Sequence, residues 1–165
     1  MLNDLLSQVD DRHQRLLALD FAEHVVERFG DRTDRDNLPH CLELLAALTE
    51  ALALGKAHER LIAAWREHAR LVVASGRESD DMRDVVRSAV EASSWDLLAE
   101  AGIAGSHTMR RRLSCVSVAR EARRAVGRCV GGAAEDVRAA RWEEARWQVG
   151  RVVETAPCPQ GRDSR

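Results

Sequence analysis

Asp20-x-x-Glu23-His24 and Glu67-His68 are this chain's nearest approaches to a carboxylate–imidazole metal motif. A metal centre in a helical bundle takes paired Glu-x-x-His motifs from facing helices, so that both ligands of each motif share one face. Neither segment has that spacing, and no metal ligand is expected. His58 and His68 flank the apolar pair Leu61 and Trp65 and read as packed or surface histidines. A pocket joining them to a carboxylate would instead mark a helical enzyme or small-molecule binder. Ser93-Ser94, Ser106 and Ser114-Cys115 lack the strand-turn-helix elbow that exposes a nucleophile. No phosphate-cradling glycine loop occurs, and Gly131-Gly132 reads as a turn between helices. Cys41, Cys115, Cys129 and Cys158 form neither a C-x-x-C pair nor a metal-ligand spacing, which leaves free buried thiols as their reading. No catalytic residue and no cofactor are therefore expected.

Charge is the stronger signal. The formal net charge of −2 hides a chain whose first 100 residues sum to −8 and whose remainder sums to +6. Such an asymmetry bears on which partners a surface attracts, not on fold. Residues 97–113, LLAEAGIAGSHTMRRRL, superficially match a DNA-binding helix-turn-helix, with Arg110, Arg111 and Arg112 near the start of a recognition helix. The turn at 102–106 is about one residue long for that motif, and a DNA-binding domain is usually basic throughout. Over 112–130, helical projection puts Cys115, Val118, Ala119, Ala122, Ala125, Val126 and Cys129 on one face. Arg112, Arg120, Arg123, Arg124 and Arg128 fall on the other. The small side chains invite a close neighbouring helix, and the arginines read as solvated or paired with the acidic first part.

Acidic residues gather at two helix starts: Asp31, Asp34 and Asp36 in one loop, and Glu78, Asp80, Asp81 and Asp84 at a second corner. The dipole of the following helix accounts for the second group. Trp142 shares a helical face with Ala145, Val149 and Val152, which reads as a core stripe. Trp147 projects away from it, either lying over arginine stems or standing out as an interface anchor.

The elements carrying these residues are all helical. Prolines sit only at 39, 157 and 159. Leu16, Leu17, Phe21, Val25 and Phe29 form one stripe over residues 11–29, ended by Gly30. Residues 41–54 are apolar nearly all round, as in a central, well-covered helix. Further helices are expected over about 57–74, over 80–102 after Ser79, from Ser106 to Gly131, and over about 134–154. No alternating strand pattern or hairpin signal appears. The expectation is an all-α, single-domain antiparallel bundle of about six helices over residues 1–156, with a flexible tail at 157–165. A short helical-hairpin solenoid is the alternative. No apolar run is long enough to span a membrane, and the acidic start lacks the basic region of a signal peptide, so a cytoplasmic protein is expected.

HQRLLALDFAEHVVERF (13–29), the loop DRTDRDN, PHCLELL (39–45) and EEARWQVGRV (143–152) resemble a family of immunity proteins from bacterial polymorphic toxin systems. The loop departs from that pattern at Asn37-Leu38-Pro39, where a proline flanked by arginines is usual. The resemblance implies a non-enzymatic protein that neutralises a cognate toxin by stoichiometric occlusion. No functional residue carries over from it. On charge, the contact surface for a basic toxin would be Asp31, Asp34, Asp36, Glu78, Asp80, Asp81 and Asp84, with Trp147 as a further contact. A DNA-binding regulator using 97–113 is the alternative, and a helical enzyme or small-molecule binder the third reading.

Overall fold

The computed structural model of the chain describes residues 2–32, 37–74, 80–105 and 112–155. It is an all-α bundle, as the helical periodicity predicts, with no strand among the described residues. In order come α1 (Leu2–Leu6), α2 (Asp11–Phe29), a 3-10 turn (Gly30–Arg32), α3 (Leu38–Leu54), α4 (Glu59–Ala74), α5 (Asp81–Ser93), α6 (Trp95–Glu100), α7 (Cys115–Val130) and α8 (Ala134–Thr155). No described helix is long and apolar enough to cross a membrane. The expected tail lies outside the described residues.

Helices α2, α5 and α7 pack against one another and form the centre. The α3–α4 pair covers α5 and α2 on one side, and α8 with α1 covers α7 on the other. A solenoid needs each unit to touch only its neighbours in sequence. Mutual packing of α2, α5 and α7 is a single shared core instead.

The most enclosed helix is α5, not the apolar segment 41–54. Ten of its thirteen residues are buried, among them Val85, Val86, Ser88, Ala89, Val90, Ala92 and Ser93. Small side chains on every side let neighbours approach all round it. In α3, by contrast, Cys41, Leu44, Leu45, Ala47, Leu48 and Ala51 face inward while Leu42 and Leu54 are exposed. The expected long helix over 80–102 is interrupted at Ser94. Ser94 Oγ donates to the Val90 carbonyl and Ser93 Oγ to the Arg15 carbonyl on α2, both at 2.8 Å. Serine hydroxyls that bond nearby backbone compete with helix continuation, and here they use the two hydroxyls weighed as nucleophiles.

Caps set most of the other boundaries. Asp10 accepts from His13 N (3.0 Å) at the start of α2. Asp80 accepts from Met82 N (2.9 Å) and Arg83 N (3.2 Å) at the start of α5. His58 Nδ1 accepts from Leu61 N (3.0 Å) ahead of α4. Gly55 closes α3 with φ of 66°, a conformation that favours glycine. Helix α7 begins at Cys115, capped by Ser114, whose Oγ accepts from Ser117 N at 3.3 Å. Ser106 lies outside the described residues, and the helix expected to run unbroken from it to Gly131 is not continuous, since residues 112–114 are not helical.

His68 on α4 is buried against Trp65, ring centroids 5.6 Å apart. Burial, then the charges of Arg87 and Arg83, push its imidazole down to about 4, against an opposing pull from Asp84 and Asp80. The ring is therefore neutral in the folded protein at neutral pH. The unfolded chain, with an ordinary histidine near 6.5, takes up a proton first as pH falls. Stability should decline between about pH 6.5 and 4, by about 2 kcal/mol at pH 5. Urea unfolding at pH 7 and pH 5 measures this, and His68→Gln should lose most of the difference between the two.

Candidate interaction surface

Of the acidic residues singled out by charge, the three at the start of α5 are engaged within the bundle. Asp31 is exposed in the 3-10 turn, whereas Asp34, Asp36 and Glu78 lie outside the described residues. Asp80 caps α5 and also accepts from Asn37 Nδ2 at 2.8 Å, which joins the end of the first acidic loop to the second corner. Asp81 accepts a hydrogen bond from Arg128 of α7. Burial pushes its carboxyl up while that guanidinium pulls it back. Asp84 lies 3.5 Å from Arg87.

The basic residues answer them. Arg151 Nε of α8 donates to Asp20 of α2 at 2.8 Å. Arg112 sits 3.8 Å from Asp96 and 4.0 Å from Asp11, ahead of α7 rather than in the first turn of a recognition helix. Arg110 and Arg111 lie outside the described residues. Arg112, Arg128 and Arg151 thus all bind carboxylates from the first 100 residues.

Thiol and metal chemistry find little footing. Burial pushes the Cys41 and Cys115 thiols up to about 12, so neither is a nucleophile at neutral pH. Cys129 is half-buried and raised as well, and Cys158 lies outside the described residues. Among the described residues no three His, Cys, Asp or Glu side chains converge as metal ligands.

Two features of α8 were not foreseen. Its inward face is polar: Glu144 and Gln148 are fully buried, followed one turn on by Val152. Glu144 Oε2 lies 3.1 Å from His24 Nδ1 on α2. Gln148 Nε2 donates to Glu144 Oε1 (3.0 Å) and to the Ala119 carbonyl on α7 (3.1 Å). Trp147 closes this group. Its indole stacks on the His24 imidazole, centroids 3.6 Å apart and 5° from parallel, and meets Phe21 edge-on at 6.0 Å. It packs within the bundle rather than standing out as an anchor.

The outward face is apolar. Trp142, expected in the core, is 63% exposed, and Val153 is 61% exposed. Trp142, Ala145, Arg146, Val149, Gly150 and Val153 follow one another at helical spacing. Apart from Val153, they join Leu2 of α1 and Arg123 of α7 in lining a groove of about 670 Å³. Arg123 is half-buried, and burial pulls its guanidinium below the ordinary value while Glu144 holds it up. It makes no hydrogen bond or ion pair among the described residues. Two other hollows are present, one around Arg15, Arg112 and Ser114 and one between α2 and α3 near Leu16 and Leu52.

Truncating Glu144 takes an acceptor from the buried Gln148 amide and leaves that donor short of a partner, at a cost of about 1–3 kcal/mol. Glu144→Ala should lower unfolding free energy by about that much. The pair Glu144→Leu with His24→Leu should cost clearly less than the sum of the two single changes, as measured by urea melts in a double-mutant cycle.

No family model matches this chain, and no match emerges among curated proteins or solved structures.

Proposed function

We propose that this chain is a cytoplasmic, non-enzymatic protein-binding module that neutralises its partner by stoichiometric occlusion, as the resemblance to immunity proteins implies, and that the partner sits on the outer face of α8. The observation that carries this reading is the exposure of Trp142 on the last described helix, beside a groove lined by Ala145 and Val149. Contiguous apolar surface mostly marks an interaction site, and tryptophan is the residue most enriched where interface energy concentrates. The acidic residues are weaker candidates, because Asp80 and Asp81 already serve a helix cap and an interhelical ion pair.

Co-expression with the products of the flanking genes tests the proposal. A partner should co-purify as a one-to-one complex on size exclusion. Trp142→Ala should weaken that complex about 30-fold or more, the loss typical of an interface hot spot. The melting temperature of the free protein should stay unchanged, because the ring is mostly exposed. Absence of any co-purifying partner, or a complex indifferent to Trp142→Ala, would overturn the reading.

A further inference from the structure

We propose that the groove beside α8 takes an acidic amphipathic helix of the partner, with its carboxylate on Arg123 and Arg146 and its apolar side chains along Trp142, Val149 and Val153. This inference rests on the protein-binding reading above and names the chemistry of the segment that docks.

Arg123 supplies the charge argument. A guanidinium half-withdrawn from water is costly unless a counter-charge or hydrogen-bond acceptor meets it. The acid nearest to it electrostatically is Glu144, which is fully buried with Oε1 bonded to Gln148 and Oε2 3.1 Å from His24. Arg123 instead lines an apolar groove, with Arg146 of α8 as the second cation in its wall. Both arginines lack an ion-pair partner among the described residues, whereas Arg112, Arg128 and Arg151 are matched to carboxylates. Two of the arginines that α2, α5 and α6 leave unanswered therefore stand in the wall of an apolar groove that holds an exposed tryptophan. An acidic partner is complementary to it.

Shape supplies the second argument. From Trp142 to Val153 the stripe advances eleven residues, about 17 Å or three helical turns. That length suits an amphipathic helix presenting anchors at i, i+4 and i+7, and it extends beyond the groove proper, which does not include Val153. Ala145 and Gly150 keep the wall low, so a partner backbone can lie close to α8.

A 16-residue alanine-rich helical peptide carrying leucines at i, i+4 and i+7 and glutamates beside them tests the proposal against its glutamine counterpart. The indole N–H resonance of Trp142, assigned by its loss in Trp142→Phe, reports binding. The glutamate peptide should bind at least tenfold more tightly than the glutamine peptide. Arg123→Gln should abolish that preference, and Arg123→Lys should retain part of it. Equal binding of the two peptides, binding of neither, or a preference that survives Arg123→Gln overturns the inference. Decanoate bound more tightly than the glutamate peptide would assign the groove to small carboxylates. A Trp142 shift on raising protein concentration alone would assign it to a second copy of the chain, and either result overturns the helical occupant. The peptide preference is measured without the natural partner, so its failure is separable from a failure to co-purify one.

Discussion

Close approach of α2, α5 and α7 through small side chains is the constraint on which the rest of the molecule depends. The chain has two phenylalanines and no tyrosine to fill a wide interior. Its centre is made instead of Ala18 and Ala22 on α2, Ser88, Ala89 and Ala92 on α5, and Ala119, Ala122 and Ala125 on α7. Helices faced with alanine and serine lie nearer together than helices faced with leucine, and dense packing replaces bulk as the source of cohesion. On the other side of α7, Gly127 gives room to the Arg141 side chain of α8, whose Nε would stand 2.3 Å from a Cβ there. With the interior so tight, long side chains are forced outward, and the arginines of α7 and α8 become the surface.

That displacement explains the charge split. The arginines driven out of the second part meet the aspartates driven out of the first: Arg128 on Asp81, Arg151 on Asp20, Arg112 between Asp96 and Asp11. Each such pair is partly exposed and contributes little alone. Their value lies in tying α7 and α8 to helices far away in sequence. The opposite signs of the two parts are therefore spent largely inside the bundle's own surface. Both signs keep members outside these pairs, Asp31 in the 3-10 turn and Arg123 and Arg146 beside Trp142 among them.

Much of this was legible in the residues. The small-residue face of α7 came out as projected, because alternation of Ala and Val with Arg at helical spacing has one solution. The stripe on α2 did too, apart from Leu16, which is partly exposed at the edge. The interruption at Ser94 was not readable, since a serine in a helical pattern gives no sign of whether its hydroxyl will turn back on the backbone. The acidic cluster at 80–84 was visible, but its pairing with Arg128 depends on which helices lie side by side. The short α1 passed unnoticed, although Leu2, Leu6 and Val9 are buried, because five residues carry too little periodicity to register.

In helix α8 the buried face is not the wholly apolar one. Trp142, Ala145, Val149 and Val152 form the face that any hydrophobic reading would bury; Val152 is buried and Val149 partly so, but Trp142 stands exposed while Glu144 and Gln148 are buried beside them. Those two make contacts that the apolar face could not: to His24 on α2 and to the Ala119 carbonyl on α7. Rotating α8 to bury Trp142 would break both contacts and strip His24 of its stacking partner Trp147. Fixing one register among competing ones is the best-attested role of buried polar groups, which add little net stability over a well-packed apolar replacement. Here the register they hold is the one that turns tryptophan outward. A helix with two usable faces, pinned by its polar one, is left with an apolar face to present, and the groove beside Arg123 is where it does so.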